Sequence, residues 1–425
     1  MIVVWIYVCM KSCFILLLLL FAGVLPTEAV DTVFVKEARV PVLIEREDNV
    51  LFYVRIDASG GEVMDEVRLR FGDEVPMREI KAVKLYYGGT EARQDYGKGR
   101  FAPVDYISAF APGRTLKANP SYSVLQSEER NVRKEVVLRS GQKLFPGRNF
   151  FWISLRMKPR TSLLTKVSVR IEGIRVDGRE ADVRLVSPER IVHRMGVGVR
   201  HAGDDGVAAY RIPGLVTTEK GTLLGVYDVR HNGAADLQEH IDVGLSRSTD
   251  GGKSWEKMRI PLALGENEGL PSAQNGVGDP AILVDEKTNT VWIVAAWTHG
   301  MGNQRAWGTS RQGMSKQATA QLLAVKSEDD GKTWSGPINL TEQVKLPEWF
   351  FLLQGPGRGI TMENGMLVFP IQFIDKRRVP HAGIMYSEDR GQTWRLHRPA
   401  RENTTEAQGV ELEPGVLMLN MRDNR

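Results

Sequence analysis

Ser248-Thr249-Asp250-Gly251-Gly252-Lys253-Ser254-Trp255 is the first of three copies of Ser-x-Asp-x-Gly-x-(Thr/Ser)-Trp in this chain. The others are Ser327-Glu328-Asp329-Asp330-Gly331-Lys332-Thr333-Trp334 and Ser387-Glu388-Asp389-Arg390-Gly391-Gln392-Thr393-Trp394. Each spells a turn: Ser and Asp side chains bond backbone amides, Gly accepts a positive φ, and Trp packs under the next strand. Each also follows a strand-like run, Val243-Gly244-Leu245, Leu322-Leu323-Ala324-Val325 and Ala382-Gly383-Ile384-Met385-Tyr386.

A second repeat lies upstream. Lys220-Gly221-Thr222-Leu223-Leu224, Thr288-Asn289-Thr290-Val291-Trp292, Asn364-Gly365-Met366-Leu367-Val368 and Pro414-Gly415-Val416-Leu417-Met418 each read as a hairpin turn entering an apolar strand. One unit is therefore two hairpins, a four-stranded blade, and blades in series make a β-propeller. Four hairpin turns meet only three Asp turns, and Arg425 falls where the second strand of the fourth blade ends. The expectation is a ring cut short, with about three and a half blades and an open sheet edge.

Counting back from the hairpin turns places polar residues in register. Ten residues before Gly221 is Arg211, ten before Asn289 is Asp279, ten before Gly365 is Gly355, and nine before Gly415 is Glu406. These positions open the first strands of successive blades. The second strands return to the same rim near Arg230 and Arg422. Singly, an Arg at a strand end or a Glu in a loop is ordinary solvated surface. Convergence of three Arg, an Asp and a Glu on one mouth of the channel is what points to a site. The Asp turns fall on the opposite rim and read as folding turns. The seven His show no His-x-x-x-His spacing; His231 and His240 flank the polar loop Asn232 to Glu239 and read as solvated, so no metal is expected. No nucleophile elbow is present. Gly355 to Gly359 lacks the Lys-Ser/Thr pair of a phosphate loop.

Ahead of the repeats, from Asp31 to about Leu185, short runs rich in β-branched and aromatic residues alternate with Gly, Pro and Asp. Val33-Phe34-Val35, Val50 to Val54, Val67 to Phe71, Phe151 to Leu155 and the alternating Lys166 to Ile171 predict strands. We read residues 31–187 as an antiparallel β-sandwich of about 150 residues ending near Ser187-Pro188, and 199–425 as the propeller. Residues 1–29 read as a signal peptide, with an apolar run from Phe14 to Leu25 and Thr27-Glu28-Ala29 as a cleavage site. Met10-Lys11-Ser12 supplies the charged start such a segment needs, which makes Met10 a candidate initiator. The rival reading, a retained anchor, meets an apolar run short of the ~20 residues a span requires. Both cysteines, Cys9 and Cys13, lie in this segment, so the mature chain would be exported, free of thiols and without a stable span.

The chain has 425 residues, a net charge of +4 and 42% hydrophobic residues, which excludes collagenous, largely disordered and polytopic membrane classes. No run of Lys or Arg tracks a phosphate backbone, so nucleic acid is not an expected partner.

Tyr210-Arg211-Ile212-Pro213 resembles the Arg-Ile-Pro motif that opens the catalytic propeller of bacterial exo-sialidases, and the three repeats resemble their Asp boxes. The resemblance covers about Val199 to Arg425. The preceding segment is similar in placement to the carbohydrate-binding sandwich found before the propeller in several bacterial sialidases. It implies an all-β protein whose propeller has six blades, acting on sialylated glycans without a cofactor. Arg211 and Arg422 would be two of three arginines gripping the sialic acid carboxylate, and Arg230 would lie near the glycerol and ring hydroxyls. Asp236 would be the acid/base on a mobile loop, and Asp279 a pocket carboxylate. Glu406, with Glu411 close by as an alternative, would activate a tyrosine nucleophile. The third Arg and that Tyr are expected beyond Arg425.

That chemistry is coherent. A carboxylate nucleophile would be repelled by a substrate carrying its own carboxylate, and sialidases are the tyrosine exception among two-carboxylate glycosidases. Arginine forks bond both substrate oxygens, at roughly 1.5–3 kcal/mol per charge-assisted bond. Asp236 would protonate the leaving oxygen and then activate water, with net retention. The competing reading is a non-catalytic sialoglycan-binding propeller. An acid on a loop and a Glu aimed at a nucleophile favour the enzyme.

Overall fold

A computed structural model describes residues 32–90, 123–186, 191–301 and 304–425. The expected signal peptide with both cysteines, and the boundary at Ser187-Pro188, lie outside the described residues. Among those described, no helix is long and apolar enough to cross a membrane. The chain divides into two compact units, one ending at Gly198 and one running from Val199 to Arg425.

In the first unit a six-stranded sheet runs in the order Asp182–Leu185, Thr32–Glu37, Asn49–Ala58, Gly147–Met157, Ile80–Thr90, Val124–Glu129. A four-stranded sheet runs Arg179–Glu180, Val169–Val176, Val63–Phe71, Glu135–Lys143. One apolar core draws on both, with Leu51, Val54, Ile153 and Leu155 from the first sheet and Val67, Leu69, Leu138 and Ile174 from the second. Ile153 and Leu155, like Val67 and Leu69, lie two apart, the period that sends every second side chain inward, whereas Leu51 and Val54 are three apart where the pairing slips between Val50 and Phe52. Two details depart from the sequence reading. Asp182–Leu185 pairs parallel with Thr32–Glu37, so the unit is not purely antiparallel. The run Lys166 to Ile171 is not one strand: Lys166–Val167 pairs with His193–Gly196, while Val169–Val176 pairs with Val63–Phe71. The break falls at the fully buried Ser168, whose carbonyl accepts from Gly72 N–H at 3.0 Å.

The second unit holds three meandering sheets and a hairpin. The first sheet comprises Ala209–Thr217, Leu223–Arg230, Ile241–Ser248 and Arg259–Leu262. The second comprises Val277–Asp285, Thr290–Trp297, Gln321–Ser327 and Ile338–Asn339. In the third, Phe351–Gln354 and Ile360–Thr361 pair with successive parts of Leu367–Ile374, and Pro380–Ser387 follows. Thr404–Glu413 and Val416–Asp423 form the hairpin. All four anticipated turns carry a left-handed residue, Gly221 (φ 78°), Asn289 (φ 58°), Gly365 (φ 87°) and Gly415 (φ 79°).

The three Ser-x-Asp turns are built alike. In the first, Ser248 Oγ donates to Asp250 Oδ1 at 2.8 Å, Ser254 N–H donates to the same oxygen at 3.0 Å, and Gly252 N–H donates to Ser248 Oγ at 3.0 Å. The Trp394 indole of the third packs edge-on against Trp292 of the second sheet, with centroids 6.0 Å apart.

The leading strands are not smooth. Their pairing slips between Arg211 and Gly214, between Gly278 and Ala281, and between Thr404 and Ala407. These are β-bulges at one common position, the device that re-aims side chains beside functional sites. The left-handed residues within the first two are Ile212 and Asp279, both at φ 55° and both followed by proline. Arg211 is therefore the structural counterpart of Gly278, and Asp279 of Ile212, a register one residue off the count made from the turns. In the third sheet the corresponding strand breaks instead, and Gly357–Arg358 crosses to pair in parallel with Ala281 and Ile282.

Candidate active site

The bulged ends surround a cavity of about 640 Å³ whose wall includes Arg211, Asp236, Asp279, Glu406 and Arg422. Five of the six residues singled out from the sequence thus line one space, though they come from three different leading strands, one return strand and a loop. No residue of the Ser-x-Asp turns lines it. A second cavity of about 630 Å³, beside the hairpin, is walled largely by Met362, Met366, Ile384, Leu417 and Leu419 and brings no carboxylate together with its basic residues.

Arg230 is the sixth, and it lies beneath the wall. Its side chain is 1% exposed. Nε and Nη2 donate to Asp228 Oδ2 at 3.0 and 2.8 Å, and Nη1 donates to Ala234 O, Ala235 O and Asp236 Oδ1 at 2.8, 2.7 and 2.8 Å. Its donors are committed to the loop that carries Asp236. The resemblance implied a place near the glycerol and ring hydroxyls; in the structure the guanidinium bonds Asp228 and the loop that carries Asp236.

Arg211 faces the cavity. Its Nη1 donates to Asp236 Oδ1 at 2.8 Å and to Ala234 O at 2.9 Å. Asp236 therefore sits between two guanidiniums. Burial raises its proton affinity, but hydrogen bonds and charge from Arg230 and Arg211 outweigh this and hold the carboxyl below the usual carboxylate range. At the hairpin, Arg422 Nη1 donates to Glu406 Oε2 at 3.1 Å, with both side chains about half exposed. Glu411 is placed elsewhere: its carboxylate accepts from Gly415 N–H at 2.8 Å and Glu363 N–H at 2.7 Å, at the turn end of the hairpin.

Sequence reasoning missed Asp228. It is fully buried, holds Arg230 through two donors, and accepts the Asp279 N–H at 2.8 Å through its other oxygen. One carboxylate thus organises both the arginine under the loop and the bulge that turns Asp279 inward. Burial first, then the Asp279 charge, push the Asp228 carboxyl up, with Arg230 pulling back. Burial likewise raises Asp279, with Arg230 opposing and the Asp236 and Glu406 charges adding. Each of the two carboxyls therefore holds its proton more tightly than an isolated aspartate does, and the titration of one depends on the other. The signal was available, since Asp228 and Arg230 are two apart on a strand and so share a face. Also missed were Arg305 and Trp307 on the connection after Thr290–Trp297, and Phe351 and Gln372 from the third sheet, which complete the wall.

Comparison with known proteins gives the same direction. Residues 30–180 match the family described as the N-terminal domain of BNR-repeat neuraminidase, and residues 212–425 match the BNR repeat-like domain. The chain is 68% identical over 398 residues to a sialidase of Bacteroides fragilis, covering 94% of this chain and 73% of that protein. It is 30% identical over 228 residues to a sialidase of Paraclostridium sordellii, covering 51% of this chain and 53% of that protein. Among solved structures, the Hadza microbial sialidase Hz136 superimposes with a TM-score of 0.76 at 56% identity, covering 92% of this chain and 76% of that one. The all-β architecture, the Arg-Ile-Pro opening and the repeats therefore have one explanation: the chain belongs to the family of sialidases with BNR repeats.

Proposed function

We propose that this protein is a retaining exo-α-sialidase that releases terminal sialic acids from glycoproteins, glycolipids and oligosaccharides. The observation that carries it is the cavity itself, where Arg211 and Arg422 stand among Asp236, Asp279 and Glu406 on bulged strand ends. A sialic acid carboxylate finds a guanidinium fork in Arg211, while Leu237, Trp307 and Phe351 offer an apolar wall for the acetamido methyl.

Asp236 is the acid and then the base toward water. Without substrate it is held ionised by Arg211 and Arg230. A substrate carboxylate that takes Arg211 removes one of those pulls and lets the Asp236 carboxyl rise toward the range in which an acid transfers a proton. Arg230 positions the loop, and Glu406 is placed to take a proton from a neutral nucleophile. Among the described residues no tyrosine lines this cavity, so the nucleophile is unassigned.

The rest of the reading has other supports. Three meandering sheets and a hairpin support a six-bladed propeller with three and a half blades in this chain. Two sheets closing on one core support a β-sandwich over 31–187, with glycan binding as its role. The apolar Phe14 to Leu25 run with its small-residue cleavage motif supports a signal peptide over 1–29 and export.

The test is to incubate the full-length protein with sialyllactose and follow the released sugar by NMR. The α-anomer is expected first, and Arg211→Ala should raise KM roughly thirtyfold, the equivalent of about 2 kcal/mol of carboxylate contact. Glycan binding without release would instead establish the non-catalytic reading.

A further inference from the structure

The loop that carries Asp236 is closed at its base by two histidines. Arg230 pairs with Ile241 across the ladder, which sets the next residues, His231 and His240, face to face; His231 N–H donates to His240 O at 3.1 Å. Their rings stack with centroids 3.9 Å apart and planes 19° from parallel. Asp242 lies two residues beyond His240, so strand alternation brings it to the same face. His231 Nε2 is 2.9 Å from Asp242 Oδ2, and His240 Nε2 is 3.8 Å from that oxygen. One donor atom from each of the three residues lies within 4.8 Å of the other two.

We propose that His231, His240 and Asp242 form a site for a borderline divalent metal of the zinc class, which staples the base of the loop carrying Asp236. A tetrahedral ion with bonds of about 2.0–2.1 Å sets its donors roughly 3.3 Å apart, and the two nitrogen–oxygen separations bracket that value, while the stacked rings must turn apart about their side-chain torsions for both in-plane lone pairs to meet one ion. Two imidazoles and a carboxylate are the donor set such ions take, with a fourth position left for water. The three side chains are partly exposed, so an ion has a route in. The sequence reading passed over this site because a cross-strand His pair has no fixed spacing; only the His240-Ile241-Asp242 alternation was visible. The inference stands on these three residues and does not depend on the sialidase reading.

The experiment is calorimetric titration of the metal-free, full-length protein with zinc sulfate, alongside His240→Asn and the double variant His231→Asn/His240→Asn. One zinc per chain is expected, weakened at least about tenfold in the single variant, since even outer-shell partners of metal ligands cost that much. Zinc should also raise the melting temperature of the parent and not of the double variant, and slow amide exchange over residues 232–239. Absence of binding, or unchanged stoichiometry and affinity in the double variant, overturns the site. Binding that leaves exchange at 232–239 unaltered overturns the staple.

Discussion

Asp236 Oδ1 sits 2.8 Å from Arg211 Nη1, so the acid of the proposed reaction occupies a donor that the proposed reaction needs for its substrate. The protein's own carboxylate stands in for a ligand carboxylate until one arrives. Asp236→Ala should therefore free Arg211 and tighten binding of free sialic acid several-fold by calorimetry. Turnover of sialyllactose should fall by about 10²–10⁴, the usual worth of a positioned acid. Aryl sialosides, whose leaving groups need less protonation, should lose less. Weaker binding in the variant would show that the two carboxylates do not compete, and equal loss on both substrates would reject Asp236 as the acid.

The Asp228–Asp279 pair makes stability depend on pH in a defined window. The folded pKa of Asp279 is raised to about 6, above the ~3.9 of an unfolded aspartate. A raised carboxyl contributes stability that is complete below the unfolded value and is lost as pH rises through the folded one. Asp279→Asn deletes one of two neighbouring charges and keeps a residue that tolerates φ 55°. The variant's melting temperature should gain on the parent between about pH 4 and pH 6 and hold a constant lead above that. A difference that stays constant over that interval would mean the pair holds no extra proton.

The Asp turns and hairpin glycines were legible because a left-handed turn accepts few residue types, and Gly221, Asn289, Gly365 and Gly415 all have positive φ. Arg211, Asp279, Glu406 and Arg422 were legible because a strand end is found by counting from such turns. The bulges were not legible. A one-residue slip leaves the local composition unchanged and shows only in pairing, which is why Asp279 was aligned with Arg211 and not with Ile212. Choosing between Glu406 and Glu411 needed the hairpin register, five residues being too few to separate the two ends of a strand by pattern alone. Arg305 and Trp307 reach the cavity from a long connection whose path no periodicity reports.

The residue after the second Asp turn's aspartate has a role the repeat pattern hides. Asp330, at φ 69°, is buried and accepts from Thr218 Oγ1 at 2.6 Å, Thr222 Oγ1 at 2.7 Å and Arg247 Nη2 at 2.5 Å, all in the preceding sheet. Arg247 Nε also donates to its carbonyl at 2.8 Å. The turn of one sheet thus clasps the hairpin of its neighbour, whereas the Asp250 carboxylate bonds within its own turn. Asp330→Ala would leave Arg247 with only Glu256 as an acidic partner and strand two buried hydroxyls. Breaking a buried pair by removing one partner costs about 3–5 kcal/mol, and the surviving Glu256 contact puts this case at the lower end of that range. Burial raises the Asp330 carboxyl, but Thr218, Thr222 and Arg247 bring it below its ordinary value. That contribution is present above the unfolded pKa and is lost as pH falls through the folded one. In urea unfolding at pH 7, followed by tryptophan fluorescence, Asp330→Ala should lower the midpoint well beyond the shift caused by Asp250→Ala, and the gap from the parent should narrow as pH falls below about 4. Equal midpoints for the two variants would mean that Asp330, like Asp250, serves its own turn and does not join the sheets.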